Sequence, residues 1–131
     1  MKRYFSHLLA LVLVVAIGLV GCSSPTGLSG NYREDTLAVL NTLKTAIDLP
    51  QDAPNRAATQ TEARKIISDF AARYRRDGSM VKLSSFTTMR TALNSLAGHY
   101  SSYPNRPVPQ KLKDRLTMEF KQVEAALSRG N

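Results

Sequence analysis

The sequence predicts an all-α fold, an antiparallel up-down-up-down four-helix bundle that follows a cleaved leader. Four segments carry apolar residues at helical spacing. Three breaker-rich stretches separate them, two built on proline and one on Asp-Gly-Ser. No stretch alternates apolar and polar residues with the period of a strand, and no internal repeat is present.

The first helix is expected to start at Asn31, a capping residue with Glu34 three positions on. Leu37, Leu40, Leu43 and Ile47 then fall within an arc of about 120° at helical spacing. Leu49–Asn55 ends it, because Pro50 and Pro54 lack an amide donor and restrict the residue before them. The second helix is expected from about Arg56 to Asp77, with Ala63, Ile66, Ile67, Phe70, Ala71 and Tyr74 as its apolar stripe. Asp77-Gly78-Ser79 is a stop signal, with a glycine able to take the left-handed conformation. A third helix is expected from Ser84 or Ser85 to Tyr100, facing the core with Phe86, Met89, Leu93, Leu96, Ala97 and Tyr100. Tyr103–Pro109 is a second rigid connection. The last helix carries Leu112, Leu116, Phe120, Val123 and Leu127 and stops at Gly130. In such a bundle the first and third connections lie at one end, so Leu49–Asn55 and Ser101–Pro109 should be neighbours.

Ahead of the helices, Lys2 and Arg3 precede an apolar run from Leu8 that closes on Leu19-Val20-Gly21-Cys22. Leu8 to Gly21 is 14 residues, too short for a bilayer core that needs about 20. This order is that of a bacterial lipoprotein signal, with Cys22 as the lipidation site. A plain secretory signal and an uncleaved anchor helix are the competing readings. The expected organisation is a leader at 1–21, a lipidated flexible tether at 22–30 and the bundle at 31–131. Cys22 is the chain's single cysteine and has no disulfide partner within it. Removing 21 of the 131 residues leaves 110, enough for one core.

The whole chain has a formal charge of +8, or +6 once Lys2 and Arg3 are gone. A basic exported protein suits an acidic partner surface or anionic headgroups, and no aromatic-interleaved basic patch of the nucleic-acid type is present. Arg73, Arg75 and Arg76, the tightest basic group, do not share one helical face and are read as solvated. After processing, His99 is the one remaining histidine and is expected on the surface near the end of the third helix. No ordinary zinc set, nucleophile turn or phosphate loop can be assembled, and Asp35, Asp48, Asp52, Asp114 and Glu119 are scattered singly. The chain is read as no enzyme, with no metal and no cofactor apart from a covalent lipid on Cys22.

Two surfaces are candidates for partner contact. The outer side of the third helix carries Thr87, Thr88, Thr91, Asn94, Ser95 and Gly98, with Arg90 and His99 toward its edges. Small uncharged groups are cheap to desolvate and let another backbone approach closely. The competing reading is a plain polar surface, or one that packs on a neighbouring helix. The second candidate is Arg106, whose guanidinium stands in a proline-stiffened loop and can grip a carboxylate with two hydrogen bonds. A stiff connection with a solvated arginine is the alternative there.

The chain also resembles a known family, through Ala46–Arg56, Arg73-Tyr74-Arg75-Arg76, Ser85–Met89 running into Thr91–Gly98, Arg106-Pro107, Pro109, Lys111-Leu112-Lys113 and Arg115-Leu116. These motifs, spread in one order over nearly the whole mature chain, are similar to those of the cyanobacterial photosystem II assembly lipoproteins numbered twenty-seven in the Psb series. That resemblance implies a four-helix bundle, monomeric when free, lipid-anchored on the lumenal side of the thylakoid membrane. It implies binding to photosystem II assembly intermediates that lack a mature manganese cluster, through a lumenal loop of an inner chlorophyll-binding antenna protein. It further implies a delay in binding of the extrinsic oxygen-evolving subunits, and no catalytic residue or bound cofactor. A general cell-envelope lipoprotein with a structural or chaperone-like role is the alternative, and a peripheral module for anionic lipid is a third.

Overall fold

Four helices form at the four expected segments: α1 (Tyr32–Asp48), α2 (Arg56–Tyr74), α3 (Ser84–Ser102) and α4 (Gln110–Ser128). The structure, a computed structural model, describes residues 28–131; the leader and Cys22 lie outside the described residues. No strand occurs among the described residues, and no described helix is long and apolar enough to cross a membrane.

Each helix begins and ends for a local reason. The Asn31 side chain accepts the Glu34 amide at 3.1 Å, as a cap should. The reciprocal half of a capping box does not form, because the Asn31 amide donates to Ser29 Oγ at 3.2 Å instead. Pro109 stands at the N-cap position of α4, where it lacks no needed donor, and its carbonyl accepts the Lys113 amide at 2.9 Å. At the far end of α4 the Gly130 amide donates to Leu127 and the Asn131 amide to Ala126, with Gly130 at φ 80°. This is the left-handed glycine stop expected of Gly130.

The expected glycine stop after α2 takes another form. That helix ends at Tyr74, three residues before Asp77, and Gly78 has no positive φ. Asp77 does the work, its carboxylate accepting the Ser79 amide at 3.0 Å and the Ser79 hydroxyl at 2.6 Å. Its carbonyl accepts the amides of Met80 and Val81. An aspartate that folds its own side chain onto the backbone two residues on makes the turn without a left-handed residue.

The helices pack as a ring in chain order, α1 on α2, α2 on α3, α3 on α4, and α4 back on α1. The most extensive packing lies within the α1–α2 and α3–α4 hairpins. Asp48 at the end of α1 pairs with Lys113 at the start of α4 at 3.1 Å, as antiparallel neighbours require, and Lys44 pairs with Glu124 on the same seam. Leu40, Leu43, Met89, Leu96, Leu116 and Phe120 are fully buried. Burial of side chains this size stabilises by about 1.5–3 kcal/mol each. Toward the tether end Tyr32, Phe70 and Tyr74 pack as tilted or edge-on rings, with centroids 5.0–6.3 Å apart.

The buried faces are rotated slightly from the expected stripes. Leu37, Ala71, Ala97 and Leu112 are half-buried at the edges of the core, whereas Tyr32, Thr36 and Val39 are buried in α1 and Ala92 in α3. Thr36 is tolerated there because its hydroxyl donates to the Tyr32 carbonyl at 2.7 Å. His99, expected on the surface, is buried. Helix α3 continues to Ser102, and the following loop folds back over His99, bringing the Arg106 carbonyl within 3.4 Å of its Nε2.

Candidate functional site

At one end of the bundle the first and third connections meet, as the topology requires. Gln60, a buried side chain of α2, fastens the third connection to that helix with both ends of its amide. Its Nε2 donates to the Arg106 carbonyl at 3.1 Å, and its Oε1 accepts the Asn105 amide at 3.1 Å. Asn105 takes a left-handed φ of 63°, which asparagine tolerates better than most side chains. The His99 ring lies against Tyr100 and Tyr103, with centroids 5.7 and 5.6 Å away. The Arg106 backbone is therefore held in place while its side chain is exposed. Beside it a shallow depression includes Arg56 and Tyr103, the latter 53% exposed.

The outer face of α3 is exposed at Thr87, Thr91 and Asn94 and half-buried at Ser95. Its hydroxyls are already engaged, Thr87 on Leu83, Thr91 on Thr87 and Ser95 on Thr91, each donating to the carbonyl one turn back at 3.1–3.3 Å. Bonded this way, the threonines turn toward solvent with much of their polarity spent. Asn94 borders a groove on the α2/α3 flank, whereas Arg106 belongs to the loop end. The structure thus places the sequence-derived contact residues on two separate patches.

The α2/α3 groove was not legible in the sequence. It encloses about 480 Å³, and its floor is Ile67 and Phe70 from α2 with Phe86 and Leu93 from α3. The Phe70 and Phe86 rings are stacked, 6.4 Å apart with an interplanar angle of 25°. Arg75 and Arg76 edge it from just beyond α2, and Arg90 faces them from α3. None of these three guanidinium groups has a carboxylate within ion-pair distance among the described residues. Arg75 and Arg76 look like scattered surface charge on a helical wheel; only the packing of α3 against α2 makes them one rim with Arg90.

At the opposite end from Arg106, Asp35 fastens the segment that leads into α1. Its carboxylate accepts the Ser29 amide at 2.6 Å, the Ser29 hydroxyl at 2.9 Å, the Gly30 amide at 3.0 Å and the Tyr74 hydroxyl. Burial pushes the Asp35 carboxyl up, but the bonds from Tyr74, Ser29 and Gly30 outweigh it and hold it below the ordinary carboxylate range. Burial and the neighbouring Asp35 push the Tyr74 phenol well up. Leu28 is buried in the core, and Gly30 turns at φ 92° against the Arg73 guanidinium, where a Cβ would stand 2.6 Å from Nη2. Residues 28–30, part of the expected tether, are tied to the bundle. Among the described residues no three His, Cys, Asp or Glu side chains gather into a set that could hold a metal ion.

Comparison with known proteins adds to this geometry. A family model described as Photosystem II Pbs27 matches residues 7–127. The photosystem II assembly factor lipoprotein Psb27 of Thermosynechococcus vestitus is 62% identical over 130 residues, covering 98% of this chain and 97% of that protein. The photosystem II lipoprotein Psb27 of Synechocystis is 61% identical over 130 residues, covering 99% of this chain and 97% of its own. A solution structure of Psb27 from cyanobacterial photosystem II superposes with a TM-score of 0.78 at 60% identity, covering 84% of this chain and 96% of that one.

Proposed function

This chain belongs to the Photosystem II Pbs27 family, and we propose that it is a non-catalytic assembly and repair factor for photosystem II. The carrying observation is the 62% identity, across 98% of this chain, to an assembly factor lipoprotein. In this reading the chain binds the lumenal side of intermediates that lack a mature manganese cluster, through a lumenal loop of an inner chlorophyll-binding antenna protein. While bound, it delays the extrinsic oxygen-evolving subunits. It carries no cofactor, and a lipid on Cys22 holds it at the thylakoid membrane as a monomer when free.

The geometry supports such a role by what is rigid and what is exposed. A bundle whose loop end is clamped by Gln60 and whose tether end is clasped by Asp35 presents its surfaces with little ordering left to do on binding. Six residue steps separate Cys22 from the buried Leu28, a span of at most about 20 Å. Lipidation at Cys22 therefore keeps the tether end near the membrane and raises the local concentration of the factor beside its target.

The test is affinity purification of a tagged chain from thylakoid membranes, followed by crosslinking and mass spectrometry. Recovery of photosystem II complexes depleted of extrinsic subunits, with crosslinks to an inner-antenna lumenal loop, is expected. Recovery of unrelated envelope proteins alone would refute the assignment. With the leader exchanged for a plain cleavable secretory one, Cys22→Ala should leave the helical circular dichroism of the mature chain intact and shift the protein out of the membrane fraction.

A further inference from the structure

We propose that the α2/α3 groove is a docking site for an acidic segment of a protein partner that carries an apolar side chain next to its carboxylates. The inference rests on the proposed function and names the surface through which it is exercised.

Two chemistries coincide in the groove. Its floor is apolar, built on the stacked Phe70 and Phe86 rings with Ile67 and Leu93 beside them. Its rim holds three exposed cations, Arg75, Arg76 and Arg90, that no carboxylate among the described residues neutralises. Arginine stems cover apolar surface while their heads stay in water. An incoming carboxylate can draw a head outward into a bidentate pair and free the floor for an apolar side chain. Arginine and aromatic groups of this kind dominate the energetics of protein interfaces. The volume, about 480 Å³, falls within the range of binding clefts and suits one or two large side chains.

A peptide fits better than a lipid headgroup. The groove runs along the flank of the bundle between two antiparallel helices, from Arg75, Arg76 and Phe86 near the tether end to Leu93 and Asn94 about two turns further along α3, a length that suits an extended segment. Asn94 borders it and offers a carboxamide that can both donate to and accept from a passing backbone. Thr87 and Thr91 continue the same outer face with hydroxyls already bonded to their own helix, so a backbone can lie close without stranding them.

The test compares the wild-type chain, Arg76→Glu/Arg90→Glu, and Ala71→Trp, which fills the groove without changing charge. Each is tagged, checked for unchanged helical circular dichroism and melting temperature, and used to recover photosystem II intermediates from solubilised membranes. The same three proteins, without the lipid, are tested on phosphatidylglycerol vesicles. Recovery should fall about tenfold or more in both variants, with the charge-reversed variant losing association rate and salt dependence as well. Full recovery by both variants, with the wild type recovering the complexes, overturns the groove and leaves the proposed function standing. Loss of vesicle binding with unchanged photosystem recovery also overturns it, in favour of a lipid surface. Failure of the wild type itself to recover photosystem subunits overturns the proposed function and this site together.

Discussion

Replacing Asp35 with asparagine tests the clasp at the tether end. The carboxylate is 1% exposed and accepts four hydrogen bonds, two from backbone amides, one from Ser29 Oγ and one from Tyr74. A hydrogen bond to a charged group contributes about 1.5–3 kcal/mol net. The Ser29 and Gly30 amides can reach water once released, so their loss costs less than the Tyr74 bond. Asparagine keeps one accepting oxygen and turns a donor toward other donors. Together these losses give about 2–3 kcal/mol for Asp35→Asn, at or just below the about 3–5 kcal/mol of a broken buried charge pair. In a domain of this size that lowers the melting temperature by about 10–20 °C.

The pH dependence carries a sign. The folded Asp35 carboxyl lies below its unfolded value, so its contribution is fully present above the unfolded pKa. It is lost as pH falls from about 4 through the folded pKa. Urea denaturation of the mature chain, followed by far-ultraviolet circular dichroism from pH 7 to pH 3, should show this loss in the wild type and a shallower acid slope in Asp35→Asn. A variant within about 0.5 kcal/mol of wild type at neutral pH, with the same acid slope, would refute the clasp.

Two further substitutions probe the loop end and the core. Gln60→Leu removes a donor and an acceptor that hold Asn105 and Arg106, and should cost about 1–3 kcal/mol; amide exchange at Asn105 should quicken well before the helices are affected, and unchanged protection there would sink the clamp. Tyr100→Phe deletes a buried hydroxyl that has no hydrogen-bond partner among the described residues, so stability should stay level or rise. Burial pushes the Tyr100 phenol up to about 12, so wild-type stability should fall as pH rises from about 10, the ordinary tyrosine value, through 12. Tyr100→Phe should flatten that alkaline slope in a denaturation series, and an unchanged slope would contradict the placement of the hydroxyl.

The sequence was most legible where the controlling residues are close together. Asn31 caps α1, the proline-rich connections separate the helices, and Gly130 ends α4, all through atoms within a turn or two of one another. It was less legible at Gly78, where Asp77 makes the turn, and at Leu37 and Ala97, which lie at the edges of their buried faces. A helical wheel locates an apolar arc but not the neighbouring helix that decides which edge of it is covered. His99 was misplaced for the same reason, since what buries it is a loop folding back from beyond the helix.

Helix count, helix order and the family resemblance were all set down in the chain itself, because apolar period, capping and proline act over a few residues. Tertiary structure alone decided the surfaces. Asp35 finds Tyr74 across 39 positions, Gln60 finds Arg106 across 46, and Arg90 comes to face Arg75 and Arg76 only when α3 packs on α2. Pairings at such separations have no local signature. They follow from how four amphipathic faces close around one core, and that closure converts scattered arginines into a rim and an ordinary aspartate into a clasp.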